Sequence, residues 1–160
     1  MTRRESGLVE RTAYGFDVGG NQTSQTDALT RQTSFALDGL GRRTQRTLPL
    51  TVSESFGYDK ASRLLAQTNF NGTIITYQYD QLGRLWKRWN GSTLLETYTY
   101  SALGQLTNRV DASGTHSWIF DALGRLKTNS TPAGTLKYTY DAVGNLLTPK
   151  LHKKLAKMSK

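Results

Sequence analysis

Residues 77–85 read Tyr-Gln-Tyr-Asp-Gln-Leu-Gly-Arg-Leu. Two aromatic residues at alternate positions precede Asp, and Gly, Arg and Leu follow from the third residue after it. The pattern recurs along the chain with its Asp position at residues 17, 38, 59, 80, 101, 121 and 141, although Ser101 replaces Asp in one copy. The steps between these positions are 21, 21, 21, 21, 20 and 20 residues. Seven copies at so constant a period indicate a repeat architecture.

Each repeat is predicted to form two strands and two turns. Ile75, Tyr77 and Tyr79 share a parity, so in a strand they project from one face. Asp80 then opens a tight turn by accepting backbone N–H groups, and Gly83 supplies the positive φ that hairpin loops need. The Arg-Leu pair begins the return strand. A second turn signal closes the far end of the repeats at Asn71-Gly72, Asn90-Gly91, Ser113-Gly114 and Ala133-Gly134.

The repeated residues are assigned structural roles. We expect the turns to be built by Asp38, Gly41, Asp59, Asp80, Gly83, Arg84, Gly104, Asp121, Gly124, Arg125, Asp141 and Gly144. Ser62 stands where Gly is expected, so its turn is predicted to be strained or of another type. Of the 14 aromatic positions that seven repeats provide, 13 are aromatic, with Leu37 as the exception. The aromatic residues therefore belong to a structural stripe.

This pattern resembles the YD-repeat, or Rhs (rearrangement hotspot), family, whose motif is Tyr-Asp, two residues, Gly-Arg-Leu and a Tyr-x-Tyr-Asp return. The resemblance covers residues 14–147 and implies an all-β fold: an antiparallel meander of about seven hairpins, about fourteen strands, forming a curved strip of β-shell. Long family members wind such repeats into a hollow shell around a C-terminal toxin. The resemblance therefore implies a role in secretion-system effectors, insecticidal toxin complexes or cell-surface adhesion proteins.

The flanking segments differ from the repeats. Residues 1–13 are polar and are predicted to be a lead-in, either an entry strand or a frayed end. Residues 148–160 form a short basic tail that leaves the repeat register, and five of its lysines contribute to the net charge of +9. Leu151, Leu155 and Met158 have the spacing of a short amphipathic helix. The tail has three interpretations: a solvated end, a surface that binds anionic membrane or nucleic acid, or a junction where the array was truncated or joined to other sequence.

Composition limits the compartment and the chemistry. The chain has no Cys, so disulfides and cysteine-based metal sites are excluded. No signal peptide is visible at the amino terminus. The resemblance implies a secreted or cell-surface protein as part of a larger chain, or a cytoplasmic location for an isolated fragment.

Catalytic and metal sites are not predicted. Asp111, Ser113 and His116 are close in sequence, but near neighbours in one hairpin do not have the geometry of a triad. Only two His residues are present, so a His-rich metal site is excluded. The row of Asp residues is interpreted as turn capping; its alternative is a row of calcium ligands. We expect no enzyme activity and no cofactor.

Two surfaces are candidates for binding. Arg42, Arg63, Arg84 and Arg125 recur with the turns and form either turn structure or a basic stripe for an acidic partner. Trp86, Arg88 and Trp89 form an aromatic and basic cluster outside the repeat positions, a candidate contact for a glycan or a surface. The Asn-x-Ser/Thr sequences at Asn21, Asn71, Asn90 and Asn129 are common products of turn composition.

The leading functional prediction is therefore structural. The chain is interpreted as a fragment of a repeat shell that encapsulates or displays a toxin or effector in a larger protein. Its expected partners are further YD repeats, or copies of itself joined through sheet edges. The alternative is a carbohydrate- or cell-surface-binding repeat module. Binding of nucleic acid or anionic membrane would involve residues 150–160.

Overall fold

The computed structural model describes residues 4–5, 8–9, 11–147 and 149–153. The regular structure in these ranges is β: β1 (Arg4–Glu5), β2 (Leu8–Val9), β3 (Ala13–Phe16), β4 (Gln22–Thr26), β5 (Gln32–Leu37), β6 (Arg43–Thr47), β7 (Ser53–Tyr58), β8 (Leu64–Thr68), β9 (Ile74–Tyr79), β10 (Leu85–Asn90), β11 (Thr93–Tyr100), β12 (Leu106–Asp111), β13 (Gly114–Phe120), β14 (Leu126–Thr131), β15 (Gly134–Lys137) and β16 (Lys150–Lys153). None of the described residues belongs to a helix long and apolar enough to cross a membrane.

The strands follow one another in space in the order of the chain. Strands β3 to β16 form one 14-stranded sheet, and β1 pairs with β2 in a separate sheet within the predicted lead-in. Neighbouring strands are antiparallel in both halves of the chain. The predicted all-β antiparallel meander is confirmed. The chain divides into two compact units, residues 1–76 and 77–160.

The register places the residue that begins each return strand on the same face as the residue before the Asp position. Tyr58 in β7 lies opposite Leu64 in β8, and the next pair is Gly57 opposite Ala66. Leu65 is therefore an extra residue, a β-bulge that absorbs one step of the alternation. Because directly opposite residues project from the same face of a sheet, Leu64 shares the face of Tyr58. The same shift occurs in the β3–β4, β5–β6, β11–β12 and β13–β14 hairpins.

Loop lengths explain why the period changes from 21 to 20 residues. In the first unit the far turns span residues 27–31, 48–52 and 69–73, and in each the first N–H donates to the carbonyl of the fifth residue. In the second unit the far hairpins close with two-residue turns, as in Asp111 opposite Gly114. The β10–β11 hairpin regains the lost residue through a register shift beside Trp89. Its step therefore stays at 21, while the next two steps are 20.

Three turns in the described part of the chain carry a residue other than Gly in the left-handed backbone region. Ser62, at φ 62°, keeps the same turn hydrogen bond to Asp59 that the Gly residues make in other repeats. Thr30 and Thr51 take the same position in two far turns, with φ of 59° and 64°. The Ser62 turn is thus the strained form of the common turn, the first of the two predicted outcomes.

Residues 150–153 do not form the predicted helix. Lys150–Lys153 is strand β16, which pairs with β15 and places Leu151 opposite Leu136. The helical interpretation of Leu151 is therefore wrong, because pairing with an open sheet edge satisfies its backbone groups where an isolated turn of helix would not. Leu155 and Met158 lie outside the described residues.

The sheet buries no apolar side chain completely in the described part of the chain. Glu54, at 9% exposure, is its one buried residue.

Candidate functional site

The Asp turn is closed by hydrogen bonds within its own five residues. Asp80 Oδ1 accepts the N–H groups of Leu82 and Arg84, both at 2.9 Å, and Oδ2 accepts Arg84 Nε at 2.7 Å. The Gly83 N–H donates to the Asp80 carbonyl at 2.9 Å, and Gly83 has φ 78°. This is a turn followed by a left-handed Gly, the usual form of a three-residue hairpin loop. Asp80, Gly83 and Arg84 each contribute a hydrogen bond or a backbone conformation to this turn.

The Arg side chain also reaches the next repeat. The Arg84 guanidinium lies 4.6 Å from the centre of the Tyr100 ring, and its Nη1 donates to the Ser101 carbonyl at 3.3 Å. The Tyr100 hydroxyl donates back to the Leu85 carbonyl at 2.8 Å. We call this set of contacts the Arg–Tyr bridge. It links the turn of one repeat to the last aromatic residue of the next through a cation–π contact and two hydrogen bonds.

Two further Arg–Tyr bridges share the cation–π contact and the tyrosine hydrogen bond. They consist of Arg42 with Tyr58, at 4.8 Å, and Arg125 with Tyr140, at 4.4 Å. Both tyrosine hydroxyls donate to the carbonyl after the Arg, at 2.9 and 2.8 Å. Where Gln105 replaces Arg, its Nε2 donates to the Gly124 carbonyl at 3.0 Å and keeps the link to the following turn.

These contacts distinguish between the two interpretations of the repeated Asp residues, turn capping and calcium binding. The hydrogen bond from the Arg84 backbone N–H is the largest effect on the pKa of Asp80, which lies below its ordinary value; desolvation opposes it and the Arg84 side chain adds to it. Asp121 follows the same order with Arg125. Both carboxylate oxygens are thus occupied within the turn, which favours capping over calcium binding. No group of three or more metal-ligating side chains occurs among the described residues.

The candidate cluster around Trp86 lies on two faces of the sheet. Lys87 Nζ lies 3.9 Å from the centre of the Trp86 ring and 5.9 Å from that of Trp89, so these three side chains are neighbours. Alternation along β10 places Arg88 on the face opposite Lys87 and Trp89, and its Nε lies 3.2 Å from Glu96 Oε2. The structure therefore brings Trp86 and Trp89 together around a lysine and pairs Arg88 with Glu96. A glycan contact at this cluster stays a prediction.

A second periodic row was missed in the sequence. Arg46 pairs with Glu54 at 2.6 Å, just as Arg88 pairs with Glu96, and both pairs lie directly across neighbouring strands. The Tyr98 hydroxyl donates to Glu96 Oε2 at 2.5 Å. Desolvation and this hydrogen bond raise the pKa of Tyr98 to about 12. The signal was available, because residues 46, 67, 88 and 109 follow the 21-residue period as Arg, Gln, Arg and Arg.

Asp111, Ser113 and His116 do meet, but not as a catalytic triad. Ser113 Oγ lies 2.9 Å from His116 Nε2 and donates to Asp111 Oδ1 at 2.5 Å. Asp111 Oδ2 lies 3.4 Å from the same His116 nitrogen. A triad needs the imidazole between the other two groups, with one ring nitrogen for each. Here the Ser113 hydroxyl donates its hydrogen bond directly to the Asp111 carboxylate, so the imidazole is not placed between the two groups to activate the hydroxyl.

Hairpins that repeat along one sheet and are joined by Arg–Tyr bridges place the chain in the class of β-sheet repeat proteins. A comparison with known families supports this classification. The Teneurin YD-shell family model matches residues 5–156. The chain therefore belongs to the Teneurin YD-shell family, and the predicted YD-repeat membership is confirmed. No curated protein sequence matches the chain.

Solved structures share the fold at low identity. The complex TcdB2-TccC3-Cdc42 aligns with a TM-score of 0.80 and 20% identity over 95% of this chain and 10% of that chain. The Photorhabdus luminescens Tc holotoxin pore, with a substituted TccC3, aligns with a TM-score of 0.75 and 21% identity over 91% of this chain and 9% of that one. The chain thus spans about a tenth of these structures, and the likeness establishes the fold alone.

Proposed function

We propose that the chain is a segment of the wall of a YD-repeat shell that encloses or displays an effector carried by a larger protein. The observation that carries this proposal is the Arg–Tyr bridge, which joins three of the repeats to the repeat that follows, in a sheet whose described residues include no buried apolar side chain. A wall needs lateral cohesion and tolerates two open faces. The fold that the chain shares with TcdB2-TccC3-Cdc42 and with the Tc holotoxin pore supports this proposal.

The wall proposal predicts that stability grows with the number of repeats. In a linear array each added repeat contributes its own stability and one more interface. We would insert one or two further copies of residues 101–120 after residue 120 and measure thermal unfolding by circular dichroism. Melting temperature should rise with each copy. An unchanged or lower melting temperature with correctly formed β-structure would contradict the proposal, because a self-contained binding module gains nothing from further wall.

We further propose that the amino-terminal edge of the sheet pairs with another YD repeat or, in the isolated chain, with a second copy. Strand β3 has no partner on its outer side within the described residues, and it contains no Lys or Pro. Tyr14 and Phe16 are 55% and 61% exposed there. The other edge, β16, carries Lys150 and Lys153, the residues that natural edges use against sheet addition.

Sedimentation at several concentrations tests the edge. The variant Tyr14→Lys/Phe16→Lys should associate less than the parent chain, while Leu151→Lys on the lysine-bearing edge should change little. Gly15 is left intact because an added Cβ would clash with Ser24 Oγ. Equal association of parent and Tyr14→Lys/Phe16→Lys would exclude β3 as the contact.

A further inference from the structure

Large apolar side chains stand at the tips of the Asp turns in the second unit. The residue two places after the Asp position is always Leu or Val, and it is 75–84% exposed: Leu82, Leu103, Leu123 and Val143. Each of these turns also has Gly at the next position. The side chains therefore form a regular row, which we call the tip row, at the end of the strands where the Asp turns lie.

The turn does not require a large apolar residue at this position. Its backbone N–H donates to the Asp carboxylate, as the Leu82 and Leu123 N–H groups do at 2.9 and 3.0 Å, and any residue with an N–H can make this bond. The far turns of the same unit carry small or polar residues instead: Gly91-Ser92, Ala112-Ser113 and Pro132-Ala133. The tips of the Asp turns in this unit are thus apolar, and the tips of its far turns are not.

The tip row is also uncharged. Asp121 is held by Arg125 at 2.8 Å, and both charges lie at the base of the turn. The residues beside the tips are Gln81, Ala102, Ala122 and Ala142. A partner that covers the tip row must therefore be apolar where it meets each tip, because a polar group buried there would have no hydrogen-bond partner.

We propose that the tip row is a self-association surface that receives the tip row of a second copy of this chain. Each repeat contributes two strands, so successive tips lie about 10 Å apart. A second tip row has the same spacing and matches at every repeat. A twofold axis between Leu103 and Leu123 would align each with the other across the interface, which is the arrangement that a symmetric dimer requires.

Two other occupants fit less well. An α-helix presents one apolar residue per two turns at about 10.5 Å, so its mismatch with the tips grows along the row. A lipid surface would meet apolar tips whose neighbouring Arg125 is already paired with Asp121, so the row offers anionic headgroups no free cation of its own. A second copy satisfies both spacing and charge.

Sedimentation equilibrium of the full chain tests the proposal. The background variant Tyr14→Lys/Phe16→Lys removes association through β3, so that association through the edge strand and association through the tip row can be distinguished. In that background, Leu82→Ser/Leu103→Ser/Leu123→Ser should weaken dimerisation at least tenfold. The matched control is Leu29→Ser/Leu50→Ser, which replaces two equally exposed turn leucines outside the tip row and should leave the dissociation constant unchanged.

Cross-linking provides a second readout that does not depend on the triple variant folding. The chain has no Cys, so single-cysteine variants are clean. An oxidised mixture of Ala102→Cys and Ala122→Cys chains should give more disulfide-linked dimer than Ala112→Cys chains, whose cysteine lies in a far turn. Equal cross-linking at the Asp turns and at the far turn, a monomer at all concentrations, or an unchanged dimer in the triple variant would overturn the proposal. So would binding to phosphatidylcholine vesicles that depends on the tip leucines without dimerisation.

Discussion

Replacing Gly104 by Ala isolates the backbone cost of the repeated turn. Gly104 has φ of 80°, and a Cβ built there would meet no atom within 4 Å. Packing therefore contributes nothing, and the substitution measures the left-handed conformation alone. That conformation costs a residue with a Cβ about 1–2 kcal/mol. For a chain of this length such a loss lowers the melting temperature by about 2–8 °C.

Gly39 supplies a control of opposite sign. It lies in the Asp38 turn, has no atom within 4 Å of its built Cβ, and is not among the residues with positive φ. Ala can adopt its conformation without strain, so Gly39→Ala should stabilise the chain by about 0.4–1 kcal/mol through a less flexible unfolded state. The two changes add the same methyl group to two turns of the same kind.

Urea unfolding followed by far-ultraviolet circular dichroism reports on β-structure in both units and is the appropriate assay. We expect Gly104→Ala to lower the unfolding midpoint and Gly39→Ala to raise it. Shifts of the same sign would refute the reasoning, because the sign depends only on φ. A shift near zero for Gly104→Ala would show that this turn does not need a left-handed residue.

Three further predictions follow from the other contacts. Arg125→Lys keeps the charge but removes the planar group that contacts both Asp121 and Tyr140, so it should cost about 0.5–1.5 kcal/mol in thermal unfolding, nearly as much as Arg125→Ala. The pKa of Asp111 is lowered to about 2, chiefly by the Ser113 hydroxyl. The stability that this group contributes is therefore fully present above its ordinary pKa of 3.8 and is lost as the pH falls from about 4 towards 2. In an acid titration, Asp111→Asn should lose less stability than the parent chain in that pH range. Deleting residues 149–160 removes β16 from β15, so hydrogen exchange at β15 should accelerate, whereas unchanged exchange would support a tail that does not pack on the sheet.

The repeat period alone predicted the strands, turns and aromatic face, because these features depend on residues that are close in sequence. Asp80, Gly83 and Arg84 build one turn and lie within five consecutive residues, so their roles follow from their spacing. The Arg–Tyr bridge was not predicted, since it joins Arg84 to Tyr100 and depends on how closely one turn lies beside the next. The strand at residues 150–153 was missed for a related reason: helical spacing in a short lysine-rich segment was outweighed by the hydrogen bonds that an open sheet edge offers.

The bridges also determine where cohesion between repeats varies along the array. Arg42 reaches the next turn through hydrogen bonds from Nη1 to the Asp59 carbonyl and to Ser62 Oγ, both at 3.0 Å. Asn21 has a shorter side chain, and its amide donates to Asp17 Oδ1 and Oδ2 in its own turn, at 3.2 and 3.0 Å. The next repeat has Leu37 at the position of the bridging Tyr. Since no apolar core backs the described sheet, the free energy that joins neighbouring repeats comes from strand hydrogen bonds, aromatic contacts and these bridges. Junctions with Arg and Tyr should therefore open last in hydrogen exchange, and the junction after Asn21 should open first.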